Sequence, residues 1–382
     1  MSRGVDYMTG KYMQHSDLDF KRIAVLLSGG VDSSVVVYEF AKLGLHPDCF
    51  YIKIGPEEEE ERLRVGEQSS GIWDCSSEED LEMATAVAHK YGCNLEVIDC
   101  HREYWDQVTR YTMEKVRAGF TPNPDVMCNR LIKFGAFDEK RGHDYDLIAT
   151  GHYAQTELDE AGRKWLVTSP DPVKDQTDFL AQIYDWQLRK AIFPIGHYVK
   201  DEVRQIAERE HLVNAKRKDS QGICFLGKIN YNDYIRRYLG ENPGEVIEFE
   251  TGRRIGEHRG LWFHTIGQRK GMGFSGGPWF VVKKDVPNNI LYVSHGYNPA
   301  TAYKSDFPVH DIHWLTMPVQ TTDITFKIRH TPEYLPGTLE QTSDDAFIIH
   351  AQDPIHGVAP GQFCVIYDQN HHRCLGSAEI TI

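Results

Sequence analysis

The chain has 382 residues, 41% of them hydrophobic and 26% charged, and its formal net charge is −14. This composition is too apolar for a disordered protein, and no apolar run reaches the roughly 20 residues that a membrane-spanning helix needs. Because single hydrophobic cores stop growing at about 250–300 residues, the length predicts two or three domains.

The first half of the chain alternates predicted strands and helices. Ile23–Leu27 is an apolar run that ends in a glycine turn, and apolar positions continue from Val35 to Leu43 before a helix stop at Gly44. The later elements are strands at Cys49–Ile54, Leu95–Asp99 and Asp146–Thr150, and helices at Ser76–Tyr91, Trp105–Val116 and Leu131–Lys140. Ser76 and Glu79 have the spacing of a capping box. This alternation predicts an α/β fold whose parallel sheet is covered on both faces.

The pattern changes after about residue 225. One more helix is predicted at Tyr231–Leu239, and turn signals then separate short apolar runs. The predicted strands are Glu245–Phe249, Trp262–Ile266, Trp279–Lys283, Ile290–Ser294, Thr325–Ile328, Phe347–His350 and Phe363–Tyr367. We therefore expect one or two small all-β modules, the last of them similar to a barrel.

Charge is unevenly distributed along the chain. Residues 57–106 contain 15 acidic and 4 basic side chains, whereas residues 186–237 contain 6 and 11, and residues 253–284 contain 1 and 7. A charge run is most often a solvated face, which is our interpretation of Glu57–Glu61. The acidic total disfavours a nucleic-acid partner, but the two basic stretches are a candidate phosphate-binding surface.

The segment Ser28-Gly29-Gly30-Val31-Asp32-Ser33-Ser34 lies where the first strand turns into a helix. Glycines let the backbone approach a phosphate, helix amides attract it, and the serine hydroxyls add donors. Asp32 could cap the helix or hold Mg²⁺. A plain glycine turn is the alternative, but the full motif favours a phosphate site and resembles the PP-loop of enzymes that adenylylate a substrate and release pyrophosphate. Ile52 and Gly151 are expected at the same edge of the sheet.

The eight cysteines form no Cys-x-x-Cys pair, which argues against zinc ribbons and cysteine-ligated iron–sulfur clusters. Such cysteine usage, with an N-terminus that carries no secretory signal, favours a reducing, cytoplasmic compartment without membrane association. Two cysteines stand in contexts that favour reactivity, and the other six are interpreted as core or unreactive.

Cys128 follows a helix start. Asn123 fits the N-cap and Pro124 the first helical position, so Cys128 falls in or just after the first turn. The helix dipole and the nearby Arg130 and Lys133 would favour its thiolate, and Asp125, three residues earlier, could move a proton.

Cys224 follows the basic, glycine-containing segment Lys216–Gly222. Such a setting should also acidify the thiol, and it suits a cysteine that carries a persulfide or closes a transient disulfide.

Several motifs occur in one order along the chain: the PP-loop, Thr121–Arg130, Ala149–Tyr153, Lys174–Gln176, Asp219–Phe225, Gly260–Gly271, Pro278–Lys284 and Ala359–Gln362. Together they resemble the tRNA-specific 2-thiouridylases, which convert the wobble uridine (position 34) of certain tRNAs to 2-thiouridine. The resemblance covers nearly the whole chain. It implies a PP-loop ATP-binding catalytic domain over residues 1–225, a small central β domain over 226–302 and a C-terminal β-barrel over 303–382.

The resemblance also implies roles for individual residues. ATP would contact Leu26, Leu27, Ser28, Gly29, Gly30, Val31, Asp32, Ser33, Ile52 and Gly151. The flipped-out base would meet Asn123, Pro124 and Asp125, with Cys128 as nucleophile and Cys224 as persulfide carrier. Other tRNA contacts would come from His152, Lys174, Asp175, Gln176, Arg329, His330 and Gln362. The chain departs from the family at Ile52–Gly55, where Met-Lys-Asn-Trp is common, and at His330, where tyrosine is common.

The implied reaction uses ATP and Mg²⁺ to adenylylate the uracil C2 oxygen. Sulfur would come from a donor protein, either a cysteine desulfurase or a sulfur-relay carrier, and reach C2 from Cys224 as hydrosulfide or by a route through Cys128. Two alternatives remain open at this point. One is an amidating or ligating PP-loop enzyme, which needs no cysteine pair, and the other is a non-catalytic RNA-binding or ATP-sensing module.

Overall fold

The computed structural model describes residue 18 and residues 20–54, 74–218, 231–296, 299–315 and 323–381. Cys224 and the rest of 219–230, and also Glu57–Glu61, lie outside the described residues. The strands in chain order are β1 Ile23–Leu26, β2 Asp48–Lys53, β3 Leu95–Asp99, β4 Leu147–Ala149, β5 Gln155–Leu158, β6 Lys164–Val167, β7 Ala191–Ile192, β8 Gly244–Glu248, β9 Arg254–His258, β10 Trp279–Asp285, β11 Ile290–His295, β12 Tyr303–Trp314, β13 Asp323–Lys327, β14 Leu335–Gln341, β15 Ala346–His356, β16 Phe363–Tyr367 and β17 Arg373–Ile380.

The α-helical segments are Val31–Lys42, Asp74–Lys90, His101–Tyr104, Arg110–Arg117, Pro124–Cys128, Phe137–Lys140, Thr177–Leu180, Asp185–Lys190, Lys200–Arg209 and Tyr231–Leu239. Wider π-helical segments cover Trp105–Thr109 and Asn129–Ala136, and short 3-10 turns cover Gly142–Asp144, Leu261–Phe263 and Ala300–Ala302. None of the helices within these ranges is both long and apolar enough to cross a bilayer.

The expected parallel sheet is confirmed, with strand order β3-β2-β1-β4-β7. Because side chains alternate along a strand, β1 contributes to both faces. Ala24 and Leu26 pack with the helices that follow β3, whereas Ile23 and Val25 pack with helices Val31–Lys42, Asp74–Lys90 and Lys200–Arg209. A doubly covered sheet presents its strand-ending loops along one edge, and that edge carries the candidate site.

The second half of the chain forms the expected β modules. A four-stranded sheet has the order β10-β11-β8-β9. Strands β12, β15, β14, β13, β16 and β17 close a six-stranded barrel, because β17 also pairs with β12. Closure leaves a barrel without free edges over most of its length.

A hairpin from the first half of the chain joins this barrel. Strands β5 and β6 pair with each other, and β6 then pairs with β17 through Val167 and Arg373. The sequence did not predict either strand of this hairpin. It adds two strands of the α/β half to the barrel sheet, so the two parts share one hydrogen-bonded layer.

Two local predictions were wrong. Trp262–Ile266 is not a strand: Leu261–Phe263 form a 3-10 turn, in which Leu261 enters the core of the β10-β11-β8-β9 sheet while Trp262 and Phe263 pack against helix Tyr231–Leu239. Ser76 is not a helix cap, because the helix already includes Asp74. Both patterns had the right spacing, but Trp262 and Phe263 pack against a helix outside the local window, and the helix that contains Asp74 starts before Ser76.

Candidate active site

The turn after β1 is shaped by Gly29. Its φ of +76° lies in the left-handed region, and a Cβ there would lie 2.1 Å from the backbone oxygen of Asp80. Only glycine fits this position without strain. Gly30 is then the N-cap of helix Val31–Lys42, so only four residues separate the end of β1 from the helix.

Hydrogen bonds hold this glycine loop, residues Ser28–Gly30, from both sides. The hydroxyls of Ser33 and Ser34 donate to the Gly30 oxygen at 3.1 and 2.9 Å, and Ser33 accepts from the Ser28 amide. Asn214 donates to the Gly29 oxygen at 2.7 Å and to Ser34 at 2.8 Å. Sequence reasoning missed Asn214, which lies on a loop far along the chain. The loop is therefore fixed in a shape that suits phosphate binding at a helix N-terminus.

Neighbouring strands bring the other predicted nucleotide contacts to the same edge. Leu26 and Leu27 are buried, and the Leu27 amide donates to the Phe50 oxygen of β2 at 2.9 Å. Ile52 is half-buried near the end of β2. A Cβ on Gly151 would lie 2.9 Å from the Ser33 nitrogen, so the chain after β4 passes directly beside the first turn of the helix.

The carboxylate of Asp32 does not cap the helix. It accepts a hydrogen bond from the Tyr153 hydroxyl at 2.8 Å and forms an ion pair with Lys200, whose Nζ lies 2.7 and 2.9 Å from its two oxygens. Sequence reasoning missed Lys200. A signal was present, because Lys200 is the first residue of a helix, where the dipole disfavours a cation.

These residues fit ATP and Mg²⁺. Within the described residues, no group of three or more acidic, histidine or cysteine side chains could hold a metal ion by itself. Mg²⁺ in nucleotide enzymes is usually held by one or two carboxylates together with substrate phosphates and water. Asp32 beside the glycine loop can supply such a carboxylate, and the loop and helix amides can hold the phosphates.

Cys128 lies on a continuous helical run, the cysteine helix, formed by Pro124–Cys128, Asn129–Ala136 and Phe137–Lys140. The predicted start is confirmed: Asn123 is the N-cap and accepts from the Val126 amide at 3.4 Å, and Pro124 is in the first turn. Cys128 is only 2% exposed. Substrate therefore reaches this thiol only if the side chains around it move.

An effect of Arg130 on the Cys128 thiolate stays a prediction, and the Arg130 side chain has other partners. Its guanidinium donates to Gln182 at 2.7 Å and to the Tyr184 hydroxyl, and it lies 4.3 Å from the centre of the Tyr184 ring. The charge of Lys133 on the same helix contributes to the lowered pKa of His152. The cysteine helix also packs in one core cluster with Leu26 and Ile52, which lie at the glycine-loop edge.

Tyr104 forms one wall of the cysteine site. It lies one turn after Cys100, which follows β3, and it packs in the same core cluster as Cys128. Burial raises the pKa of Tyr104 well above its ordinary value, and Tyr234, Cys128 and Asp125 add to the shift. Asp125, Cys128 and Tyr104 therefore lie close together, beyond the carboxyl ends of the strands.

Asp175 does not fit its predicted contact with tRNA. It is fully buried, and its carboxylate accepts from the Ser169 amide at 3.0 Å, Thr177 at 2.8 Å and Tyr334 at 2.7 Å. Lys327 of β13, also fully buried, completes the set at 3.4 Å. With four protein donors around it, this carboxylate connects the α/β half to the barrel.

Its neighbours in the Lys174-Asp175-Gln176 motif are also held by the protein. The Gln176 side chain accepts from the Tyr153 amide at 3.0 Å, and the Lys174 amide donates to Asp171 at 3.1 Å. Because Tyr153 holds Asp32, the motif reaches the nucleotide edge through Gln176 and the barrel through Asp175. A role of the half-buried Lys174 side chain toward tRNA stays a prediction.

His152 is buried as well. Its Nδ1 lies 2.8 Å from the Thr150 hydroxyl, and burial, with a smaller contribution from Lys133, lowers its pKa well below the ordinary value. It is therefore neutral at physiological pH, which does not fit a charged contact with tRNA.

The barrel residues predicted to meet tRNA divide into two groups. Gln362 donates to the oxygens of Thr121 and Pro122 at 2.8 and 3.3 Å, so it supports the loop that leads into Asn123. Arg329 and His330 are exposed. Hydrogen bonding to Asp178 raises the pKa of His330. Arg329 and His330 have the exposure that a tRNA contact needs, and their role stays a prediction.

The parallel sheet, the glycine loop and the appended β modules define the class of protein. A family model described as the tRNA methyl transferase HUP domain matches residues 21–228. Models of the associated PRC-barrel domain and of an aminomethyltransferase β-barrel domain match residues 232–295 and 304–380.

Curated relatives narrow this class. A tRNA-specific 2-thiouridylase, MnmA 1 of Bacteroides thetaiotaomicron, is 56% identical over 94% of this chain and 99% of its own length. The MnmA proteins of Parabacteroides distasonis and Porphyromonas gingivalis (strain ATCC 33277) are each 54% identical over 94% of this chain, which corresponds to 98% and 99% of their lengths. The chain belongs to the family of tRNA-specific 2-thiouridylases.

Proposed function

We propose that this protein is an ATP-dependent tRNA-uridine 2-sulfurtransferase that thiolates the wobble uridine of tRNA. One observation carries the proposal: Val126 and Cys128, at the start of the cysteine helix, pack in one core cluster with Leu26, just before the glycine loop, and with Ile52, near the end of β2. An activating nucleotide and a nucleophilic thiol could therefore act on one base. The names of the relatives support the choice of uridine thiolation.

The first half-reaction is activation of the base. The uracil C2 oxygen is a poor leaving group, and transfer of AMP from ATP to this oxygen, with release of pyrophosphate, makes it a good one. The glycine loop and helix Val31–Lys42 would bind the phosphates, and Asp32 would supply a carboxylate for Mg²⁺. Asn123, Pro124 and Asp125 would surround the flipped-out base, with Asp125 in reach of a proton near Cys128.

The second half-reaction delivers sulfur and releases AMP. Cys224 would receive sulfur from a cysteine desulfurase or a sulfur-relay carrier and hold it as a persulfide. In one route, the Cys128 thiolate attacks the inner sulfur of the persulfide, which forms a Cys128–Cys224 disulfide and releases hydrosulfide that attacks C2 and displaces AMP. In the other, the outer persulfide sulfur attacks C2 and displaces AMP, and Cys128 then attacks the Cys224 sulfur, which leaves the thiolated base and the same disulfide. An external reductant reopens the disulfide in either case. The reaction and its carriers point to the cytoplasm. The domain ranges 1–225, 226–302 and 303–382 also stay a proposal.

Mass spectrometry of tRNA nucleosides tests the reaction. The full chain is incubated with tRNA, ATP, Mg²⁺ and a cysteine desulfurase with cysteine as the sulfur source, and 2-thiouridine at the wobble position is the expected product. Cys128→Ser should abolish the product, and Cys100→Ser is the matched control because Cys100 is buried in the same core cluster. If both variants thiolate equally, Cys128 is only a buried structural thiol.

Non-reducing mass spectrometry separates the roles of the two cysteines. Cys128→Ser should still load sulfur from a desulfurase, whereas Cys224→Ser should not. Turnover without thiol should give a Cys128–Cys224 bond in the wild type only. Loading by Cys224→Ser but not by Cys128→Ser would reverse the assignment.

A further inference from the structure

The ion pair between Asp32 and Lys200 lies beside the glycine loop. Lys200 is 12% exposed and Asp32 is 32% exposed, so the pair is sheltered but open to solvent on the carboxylate side. The Lys200 Nζ also lies 5.7 Å from the centre of the Tyr153 ring, whose hydroxyl donates to the same carboxylate. The pair is therefore a built arrangement rather than a chance surface contact.

Hydrogen bonds donated by the backbone amides of Lys200 and Val199 fix the position of Lys200. Its amide donates to the Asp171 carboxylate at 2.9 Å, and the preceding amide of Val199 donates to Glu202 at 2.9 Å. These bonds fix the start of helix Lys200–Arg209, and the ion pair of Lys200 with Asp32 places it next to the start of helix Val31–Lys42. Two helix N-termini thus converge where a polyphosphate would lie, and both favour negative charge there.

A cation at the first position of a helix is electrostatically unfavourable, and Asp32 compensates for it in the nucleotide-free protein. A bound polyphosphate would bring further negative charge close to the Asp32 carboxylate. Lys200 carries its charge on a flexible four-carbon stem with three donors, so its ammonium can turn from a carboxylate to a phosphate oxygen within a few ångströms. Asp32 is then left as an anion, which suits Mg²⁺.

We propose that Lys200 exchanges partners when nucleotide binds. In the free protein its ammonium binds Asp32; with the pyrophosphate end of ATP in the glycine loop it binds a β- or γ-phosphate oxygen, and Asp32 turns to Mg²⁺. This inference rests on the proposed function, because it requires that the loop binds ATP. It assigns a phosphate-binding residue that lies outside the glycine loop and 168 positions from its partner in sequence.

Calorimetric titration of the full chain with inorganic pyrophosphate, and separately with ATP, tests the exchange. With Mg²⁺ present, Lys200→Met should weaken pyrophosphate binding by at least about 10-fold, since a charge-assisted hydrogen bond contributes on the order of 1.5–3 kcal/mol. Lys200→Arg should lose less. The matched control is Lys42→Met, which removes a lysine paired with Glu39 at the far end of helix Val31–Lys42, the helix of Asp32, and should leave binding unchanged.

The exchange makes a second and opposite prediction for Asp32→Asn. Without Mg²⁺, this variant should bind pyrophosphate more tightly than the wild type, because Lys200 is no longer held by a carboxylate. The double variant Asp32→Asn/Lys200→Met should lose that gain. It also removes both charges together, so no unpaired charge is left in the fold.

The outcomes separate two failures. If the wild type binds neither pyrophosphate nor ATP, the proposed nucleotide function fails and the role of Lys200 fails with it. If the wild type binds both, but the double variant is folded and binds pyrophosphate as tightly as Asp32→Asn, Lys200 has no contact with phosphate. Lys200→Met with wild-type affinity for Mg²⁺-pyrophosphate would overturn the exchange in the same way.

Discussion

Two aspartate–lysine pairs of this protein have opposite settings. Asp32 and Lys200 meet at the open edge of the sheet, with Nζ–O distances of 2.7 and 2.9 Å. Asp175 and Lys327 meet at 3.4 Å between the α/β half and the barrel, and both are fully buried. The first, open pair can exchange one partner for a ligand. In the second, sealed pair, the Asp175 carboxylate accepts its other hydrogen bonds from protein groups. Solvent access and neighbouring donors, rather than residue type, therefore separate a binding group from a structural one.

The largest expected effect of breaking either pair is on catalysis. Asp32→Ala should abolish ATP-dependent thiolation, because the carboxylate proposed to hold Mg²⁺ is lost. The affinity for tRNA should be nearly unchanged, since Asp32 lies at the nucleotide edge. Nucleoside mass spectrometry and a filter-binding assay measure the two quantities. An equal loss of tRNA affinity would instead indicate a folding defect at the helix start.

Breaking the sealed pair of Asp175 and Lys327 should lower the stability of the fold. Lys327→Met leaves the Asp175 carboxylate buried without its cation, and removal of one partner of a buried pair costs about 3–5 kcal/mol. The melting temperature should fall sharply by circular dichroism. The double variant Asp175→Asn/Lys327→Met should recover most of the loss. If Lys327→Met melted like the wild type, the pair would not stabilise the junction with the barrel.

Exposed lysines near the nucleotide edge should affect tRNA affinity only. Lys216 and Lys218 are exposed, whereas Arg217 between them is paired with Asp80. Reversing both lysines to glutamate should weaken tRNA binding and lower its salt dependence, because fewer counterions are released on binding. Arg217 is left intact so that the glycine loop keeps its support. Affinities that do not change between roughly 50 and 200 mM salt would contradict binding through this basic surface.

The smallest expected effect concerns the half-exposed pair of His330 and Asp178. Hydrogen bonding to Asp178 raises the pKa of His330 in the folded state. Its contribution to stability is therefore complete below the ordinary histidine pKa and is lost as pH rises through the raised value. Raising the pH from about 6 to about 8 should lower the melting temperature of the wild type slightly more than that of His330→Gln. The difference is small because a partly exposed pair contributes at most about 1 kcal/mol.

Local signals in the sequence were sufficient for the elements that carry the chemistry. The strand before Ser28, the glycine turn that follows it and the Asn123 cap are each specified by residues within a few positions of one another. The structure confirms all three. Such signals are reliable because backbone geometry and capping bonds act over one or two turns.

Contacts between residues far apart in the chain could not be predicted from the sequence. Nothing near Asp175 indicates that Lys327, 152 positions later, will bury it. Nothing near Arg130 indicates that Gln182 and Tyr184, more than 50 positions later, will bind its side chain. The residues around Trp262 have the pattern of a strand, but they form a turn that packs against a neighbouring helix. In each case the deciding partner is distant in sequence.

The hairpin that joins the barrel has a consequence for how the protein is made. Strand β6 is synthesised about 200 residues before its partner β17, because Val167 pairs with Arg373. At a translation rate of about 5–20 residues per second, the edge of β6 waits roughly 10–40 seconds for that partner. Throughout this interval its backbone groups could pair with another nascent chain. A ribosome-bound fragment ending before Arg373 should therefore aggregate more readily than one that also lacks residues 155–167.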